Sequence, residues 1–264
     1  MGDSKDKEAP APAAGAARSP TSPQEHPYSI RLIVHPAPVR VSYATVATLV
    51  PDLISHHDPD FILHIGVAGG RDHYSLETRG HRDGYRIKDV DEHDGWKEGE
   101  QQWKNEGVPA MLRVGWDEDD VLTRWEKAVK RGMEEGGFSG EENKKRGQVR
   151  LSRDAGRFLC EFALMESLSR RWVDAEQAEN EDSQTQNEDS QKRKAMERVG
   201  KVAFLHVPGW TGLEDVRRGV MVAEAAIRSL VESWEDGLRR KESEVVDVSK
   251  PVDTGRWEGV VWKA

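Results

Sequence analysis

Hydrophobic residues along the chain are grouped in short runs whose spacing switches between that of strands and that of helices. Near-continuous apolar runs of strand length are typical of strands buried on both faces of a sheet, and β-branched runs are typical of shorter strands. Runs of these two kinds occupy residues 30–34, 39–41, 61–68, 149–151 and 202–207. Apolar residues three and four positions apart, the spacing of a helix face, occupy residues 44–54, 121–129, 157–172 and 216–234.

The order of these segments predicts the fold class. Strands that alternate with helices along a chain pack as a sheet with helices on both faces. We therefore predict an α/β fold, a three-layer α/β/α sandwich with a mixed central sheet of the phosphorylase/hydrolase-like kind.

Two segments lack a periodic apolar pattern. Residues 1–26 are rich in proline and alanine, which indicates a disordered tail. Residues 174–195 contain Asn-Glu-Asp-Ser-Gln twice and almost no side chain that packs, so nothing there offsets the entropy of ordering the backbone. We therefore expect a single domain over residues 27–264, with a disordered insertion at about 174–195.

The composition narrows the possible function classes. The net charge of −9 argues against a nucleic-acid-binding domain, because such a domain needs a basic face for phosphates. No apolar run approaches the roughly 20 residues of a membrane span. The first residues have neither the apolar stretch of a signal peptide nor the acid-poor composition of a mitochondrial presequence. We therefore expect a cytoplasmic protein with no nucleic-acid or membrane partner.

Cys160 is the only cysteine in the chain, and it lies where a predicted strand gives way to a predicted helix. A single thiol forms no intramolecular disulfide and supplies no pair of zinc ligands. It is therefore either a buried core residue or a nucleophile. Ser152 or Asp154 is a candidate cap for the helix, and a position in its first turn would favour the thiolate through the helix dipole.

A thiol nucleophile needs a histidine to exchange its proton and a third residue to orient that histidine. His206 lies near the end of an apolar run just before a turn, and active residues gather at strand ends in α/β sheets. Glu77 follows the other long apolar run and is a candidate for the third residue. From the residues alone, His206 also fits a hydrogen-bonded core histidine and Glu77 a solvated acid, so both interpretations stay open.

Other candidate sites lack the pattern that their chemistry needs. Gly66-Val-Ala-Gly-Gly70 has neither the ending of a phosphate-binding P-loop nor the spacing of a dinucleotide-binding loop. His56, His57 and His64 have no second cluster to complete a metal site, and the polar stretch 81–94 indicates a solvated loop. We expect no metal and no organic cofactor.

Three short motifs surround the candidate residues. The cysteine segment is Ser152-Arg-Asp-Ala-Gly-Arg-Phe-Leu-Cys160, and the histidine segment is Leu205-His206-Val207-Pro208. Glu77 lies between His64-Ile-Gly-Val-Ala68 and Gly80-His81-Arg-Asp-Gly84-Tyr85. With the order Glu, Cys, His, these motifs resemble those of pyroglutamyl peptidase I, a family of cysteine peptidases, and the resemblance covers residues 30–232.

This resemblance implies a reaction and a role for each residue. It implies Cys160 as the nucleophile, His206 as the general acid/base and Glu77 as the residue that orients His206. The implied reaction is the hydrolytic removal of pyroglutamate (5-oxoproline) from the N-terminus of peptides, and it needs no cofactor.

Two features depart from the family pattern. Family members begin with a strand that leads into a Thr-Gly-Phe-x-Pro-Phe type loop, which helps to wall the lactam pocket, and residues 1–29 contain nothing like it. Glu161 follows the cysteine where many relatives carry an amide. An alternative function is therefore a catalytically impaired or truncated homologue that keeps the fold and the triad without an intact substrate pocket.

Overall fold

The computed structural model describes residues 29–180 and 186–246, with side chains for 29–180 and 188–238, so the predicted tail at 1–26 lies outside the described residues. The chain divides into two compact units, Met1–Pro38 and Val39–Ala264, and the second unit begins later than the expected domain start at residue 27. In the first unit, residues 29–38 are exposed and form neither helix nor strand. The strand predicted at 30–34 is therefore wrong, because a β-branched run becomes a strand only where a neighbouring strand pairs with it.

The second unit contains helices and strands interspersed along the chain. Its helices are α1 (Tyr43–His57), α2 (Gln101–Asn105), α3 (Glu118–Glu135), α4 (Glu141–Arg146), α5 (Leu159–Asn180), α6 (Gln186–Arg198) and α7 (Leu213–Val246), and a short π-helix (Trp96–Glu100) precedes α2. Its strands are β1 (Ile62–Ala68), β2 (Tyr74–Glu77), β3 (Arg79–His81), β4 (Met111–Arg113), β5 (Val149–Ser152) and β6 (Val202–Pro208). The β-branched run at 39–41 is not a strand. Among the described residues, no helix is both long and apolar enough to cross a membrane.

The central sheet of the described residues has four strands in the order β1-β6-β2-β5. β1 is parallel to β6 and β2 is parallel to β5, whereas β2 and β6 are antiparallel. β3 and β4 form a separate antiparallel pair. The predicted mixed sheet is therefore confirmed, and its two edges are β1 and β5.

Helices cover both faces of this sheet. On one face, α3 and α7 pack against β2 and β6 through Tyr74, Leu76, Trp125, Ala203, Leu205 and Val222. On the other face, α5 packs against β6 through Leu164, Leu168, Val202 and Phe204, and α1 packs against α5. Successive side chains of a strand point to opposite faces, so His206, two residues after Phe204, lies on the α5 face.

The predicted helix at 44–54 begins at a capping residue. Ser42 precedes α1, and its Oγ accepts a hydrogen bond from the backbone amide of Thr45 at 3.4 Å. The helix then buries Val46, Val50 and Ile54, which lie four residues apart on one face. This local pattern explains why the predicted segment 44–54 and the observed helix Tyr43–His57 agree.

The segment expected to be a disordered insertion differs from that expectation in part. Residues 174–180 complete α5, residues 186–195 lie in α6, and residues 181–185 lie outside the described residues. The segment is rich in Glu, Gln and Lys, which have good helix propensity. Lys194 and Arg198 of α6 also form ion pairs with Asp58, and such long-range contacts leave no trace in the local composition.

Candidate active site

Glu77 and His206 are brought together by the antiparallel pairing of β2 and β6. Ser75 lies opposite His206, and Glu77 lies opposite Phe204. Both side chains are buried, and Nδ1 of His206 lies 2.8 Å from Oε1 of Glu77. A carboxylate only accepts hydrogen bonds, so Nδ1 carries the hydrogen and Nε2 is left for other partners.

Arg71 contacts the same carboxylate oxygen. It lies in the turn after β1, where its Nη1 is 2.5 Å from Oε1 of Glu77 and its Nη2 is 2.9 Å from the carbonyl oxygen of Asp154. Glu77 is fully buried, so its charge needs the donors that Arg71 and His206 supply. We did not select this arginine from the sequence, where its one signal is a position after Gly69-Gly70 at the end of a long apolar run.

Cys160 is the second residue of α5 and so lies in the first turn of the helix, the position that the sequence analysis considered. Its sulfur lies against β1, since a Cβ built on Gly66 would be 3.3 Å from Sγ and 2.6 Å from Cζ of Phe204. Gly66 is the residue of β1 that pairs with His206. The fold therefore brings the thiol next to the strand that neighbours His206, and the glycine leaves room for it.

The thiol does not share in the Glu77–His206 contact. Within the described ranges, the imidazole of His206 bonds to Glu77 and makes no hydrogen bond to Cys160. Burial raises the pKa of the Cys160 thiol, the charge of Glu77 raises it further, and the charge of Arg71 opposes these effects. Burial thus acts against the thiolate that a position in the first turn of a helix would favour.

The loop that leads into α5 is closed by its own side chains. Oγ of Ser152 accepts a hydrogen bond from the amide of Asp154 at 3.3 Å, and Oδ1 of Asp154 accepts one from the amide of Gly156 at 3.0 Å. Gly156 has a φ of 77°, a conformation that a residue with a Cβ rarely adopts. Ser152 and Asp154 therefore shape the loop, whereas the sequence suggested that one of them caps the helix.

Glu161, the residue after the thiol, ties the start of α5 to β3. It is fully buried, and its carboxylate accepts hydrogen bonds from Nη1 of Arg157 at 2.6 and 2.8 Å. Nδ1 of His81 lies 2.6 Å from the same carboxylate. The sequence motifs contained Arg157 and His81, and Glu161 was noted as a departure after the cysteine motif, but the contact joins positions 80 residues apart and is visible only in the fold.

The remaining candidate histidines belong to two different elements, α1 and β1. Nε2 of His64 is 2.8 Å from Oγ of Ser167, and burial lowers the pKa of His64 to about 4. His56 and His57 contact each other at the end of α1. The described residues contain no group of three or more His, Cys, Asp or Glu side chains that could hold a metal ion.

Comparisons with known proteins identify relatives over part of the chain. No protein-family model matches it. Pyroglutamyl-peptidase 1 of Rattus norvegicus is 31% identical over 137 residues, which are 52% of this chain and 56% of that protein. Pyroglutamyl-peptidase 1 of Homo sapiens is 30% identical over 135 residues, which are 51% of this chain and 56% of that protein. The chain thus spans about half the length of the curated relatives it matches.

Solved structures of similar proteins overlap more loosely. Pyrrolidone carboxyl peptidase from Thermococcus litoralis aligns with 75% of this chain and 77% of its own, at 14% identity and a TM-score of 0.47. Pyroglutamyl peptidase I from Bacillus amyloliquefaciens aligns with 74% of both chains, at 19% identity and a TM-score of 0.43. The curated sequence matches confirm the resemblance that the motifs indicated, and over about half of its length this chain is similar to pyroglutamyl-peptidase 1 of rat and human.

Proposed function

We propose that this chain is a cysteine-type omega peptidase that removes pyroglutamate from the N-terminus of peptides. The observation that carries the proposal is the buried hydrogen bond between His206 and Glu77, next to the thiol of Cys160. This thiol lies in the first turn of α5 and faces β1, the strand that neighbours His206. An oriented histidine close to a thiol is the arrangement that thiol nucleophiles need. The curated relatives, named pyroglutamyl-peptidase 1, support the choice of substrate. The proposed location is the cytoplasm, where reducing conditions keep a lone thiol free.

The first half of the proposed reaction forms a thioester. Nε2 of His206 takes the proton of the Cys160 thiol while the sulfur attacks the pyroglutamyl carbonyl carbon. The carbonyl electrons move to oxygen, and then return as the carbon–nitrogen bond of the peptide breaks. His206 gives its proton to the departing amine, so the peptide leaves with a free N-terminus. Glu77 holds the ring in the required tautomer and stabilises the imidazolium that forms.

The second half releases pyroglutamate. His206 takes a proton from a water molecule, whose oxygen attacks the thioester carbonyl. The carbon–sulfur bond breaks, and the proton returns to the sulfur of Cys160. The net reaction consumes one water and regenerates the neutral thiol.

The amides in the first turn of α5 are the proposed donors to the oxyanion. The amide of Phe162 already bonds to the carbonyl oxygen of Phe158. The amides of Leu159, Cys160 and Glu161 have no carbonyl four residues earlier within the helix, so they are available to a ligand. They also lie at the positive end of the dipole of a 22-residue helix. Because burial raises the pKa of the Cys160 thiol, proton transfer to His206 belongs to the substrate complex, in which catalytic hydrogen bonds commonly tighten.

A catalytically impaired homologue is the second candidate. Two observations favour it: the raised pKa of the Cys160 thiol, and an imidazole that bonds to Glu77 but not to the sulfur within the described residues. Such a protein would keep a buried Glu–His pair beside a thiol that substrate never activates.

The test is hydrolysis of a pyroglutamyl coumarin amide by the purified full chain, with the alanyl amide as the substrate control. Cys160→Ala and His206→Ala are expected to lower kcat/KM by at least about a hundredfold. His56→Ala, which alters an exposed histidine on α1, is the matched control and is expected to be as active as the parent protein.

Three outcomes distinguish the two candidates. Release of coumarin that depends on both Cys160 and His206 supports the peptidase. No release by a folded parent protein, as judged by circular dichroism, supports the impaired homologue. Activity that survives Cys160→Ala would refute the proposed nucleophile.

A further inference from the structure

Arg71 joins the two segments that carry the proposed catalytic groups. Nη1 of its guanidinium lies 2.5 Å from Oε1 of Glu77, the oxygen that also bonds to His206. Nη2 lies 2.9 Å from the carbonyl oxygen of Asp154, which is in the loop that leads to Cys160. A single planar group therefore connects the carboxylate end of β2 with the start of α5.

The surroundings of this contact give the arginine more weight than a surface ion pair. Glu77 has no exposed side-chain surface, and the Arg71 side chain is 25% exposed. Oε2 of Glu77 has no hydrogen-bond partner among the described residues. A buried carboxylate with so few donors is costly unless a charge compensates it, and surface ion pairs that lack this enclosure contribute little.

The charge of Arg71 also acts on the thiol. The Glu77 carboxylate raises the pKa of Cys160, whereas the guanidinium lowers it. Without the arginine, no positive charge would oppose the effect of the carboxylate on the thiol. A smaller fraction of the thiol would then be in the thiolate form that attacks.

We propose that Arg71 is a positioning residue of this site, which holds Glu77 against the cysteine loop and supplies the positive charge beside the thiol. Its part in turnover rests on the proposed peptidase function, but its effect on the thiol does not. Arginine suits the position because two nitrogens of its planar guanidinium donate to acceptors on two separate segments. Lysine has a single ammonium group in place of these two nitrogens.

The test measures the reactivity of Cys160 with iodoacetamide as a function of pH, followed by intact mass on the full chain. Each alkylation reports on Cys160 because the chain has no other cysteine. Arg71→Met removes the charge, Arg71→Gln keeps donors without the charge, and Arg71→Lys keeps the charge without the fork. Arg153→Met is the matched control, since this arginine lies in the same loop with 68% of its side chain exposed.

We expect Arg71→Met and Arg71→Gln to be alkylated about tenfold more slowly at neutral pH, with the midpoint of the profile moved to higher pH. Arg71→Lys is expected to keep a profile close to that of the parent protein and to lose turnover, and Arg153→Met is expected to change neither. Circular dichroism verifies that each variant is folded. If Arg71→Met does not fold, the alkylation profile of Arg71→Gln tests the proposal.

An unchanged alkylation profile in folded Arg71→Gln would overturn the proposal, as would an equal shift in Arg153→Met. The proposed peptidase function fails in a different way, through a parent protein that does not cleave the pyroglutamyl amide. The alkylation profiles remain interpretable in that case, so the two failures are distinguishable.

Discussion

Replacing Gly66 by alanine tests the packing between β1 and the helix that carries the thiol. The added Cβ would lie 2.6 Å from Cζ and 3.0 Å from Cε1 of Phe204, and 3.3 Å from Sγ of Cys160. Favourable carbon–carbon contacts lie at about 3.5–4.0 Å, so the ring has to move by roughly 1 Å. Phe204 is 3% exposed and packs against Leu164 and Leu168, which leaves it little space.

The expected cost follows from two opposing effects. Forcing an extra methyl group into a packed core costs about 1–3 kcal/mol. Gly66 is not among the glycines with positive φ, so alanine also restricts the unfolded chain and recovers about 0.4–1 kcal/mol. We therefore expect Gly66→Ala to lower the free energy of unfolding by about 1–2 kcal/mol, which corresponds to about 2–4 °C of melting temperature per kcal/mol for a unit of this size.

Gly69→Ala is the matched control for this substitution. Gly69 lies just after the same strand, has no positive φ, and its Cβ would meet no heavy atom within 4 Å. We expect it to be as stable as the parent protein in urea unfolding and thermal melting. Adding Phe204→Leu to Gly66→Ala should recover part of the loss in a double-mutant cycle, because the clashing ring is gone. Equal stability of Gly66→Ala and Gly69→Ala would refute the argument.

Three further predictions concern buried charged or titratable groups. Glu77→Gln removes the carboxylate charge that raises the pKa of Cys160, so we expect faster alkylation at neutral pH but turnover at least about a hundredfold lower; alkylation at the parent rate would contradict this. Glu161→Ala leaves Arg157, whose side chain is 36% exposed, without its buried partner. We expect urea unfolding to show a free energy of unfolding that is lower by about 2–3 kcal/mol for Glu161→Ala and by less for Glu161→Gln. The lowered pKa of His64 means that the folded state resists protonation, so its contribution to stability is complete above pH 6.5 and is lost as the pH falls from 6.5 toward about 4. His64→Asn should flatten the measured pH dependence of stability in that window, and an unchanged slope would exclude His64 as its source.

Much of the fold was predictable because its signals are local. The run at 61–68 and the run at 202–207 became β1 and β6, and the helical spacing at 44–54 became α1. Cys160 was expected where a strand gives way to a helix, and it lies between β5 and the body of α5, one residue after the helix begins. Backbone periodicity and capping act over a few residues, so they are visible in the sequence.

The failures share the opposite cause. The β-branched run at 30–34 has no strand beside it among the described residues, and α6 contains polar residues that composition alone assigned to a disordered insertion. Arg71 has no motif of its own, and its importance appears only in the structure, where its guanidinium donates hydrogen bonds to both Glu77 and Asp154. Pairing partners and ion pairs depend on residues far away in the chain.

By itself, the sequence determined the kind of fold, the family that the motifs resemble and the three residues proposed for the chemistry. Only the tertiary structure decided that Glu77 and His206 share a hydrogen bond, that Arg71 bonds to the same carboxylate, and that burial raises the pKa of the Cys160 thiol. The physical reason is that the identity of a side chain is a local property. Its partner, its burial and therefore its charge state are set by segments that meet only when the sheet has formed.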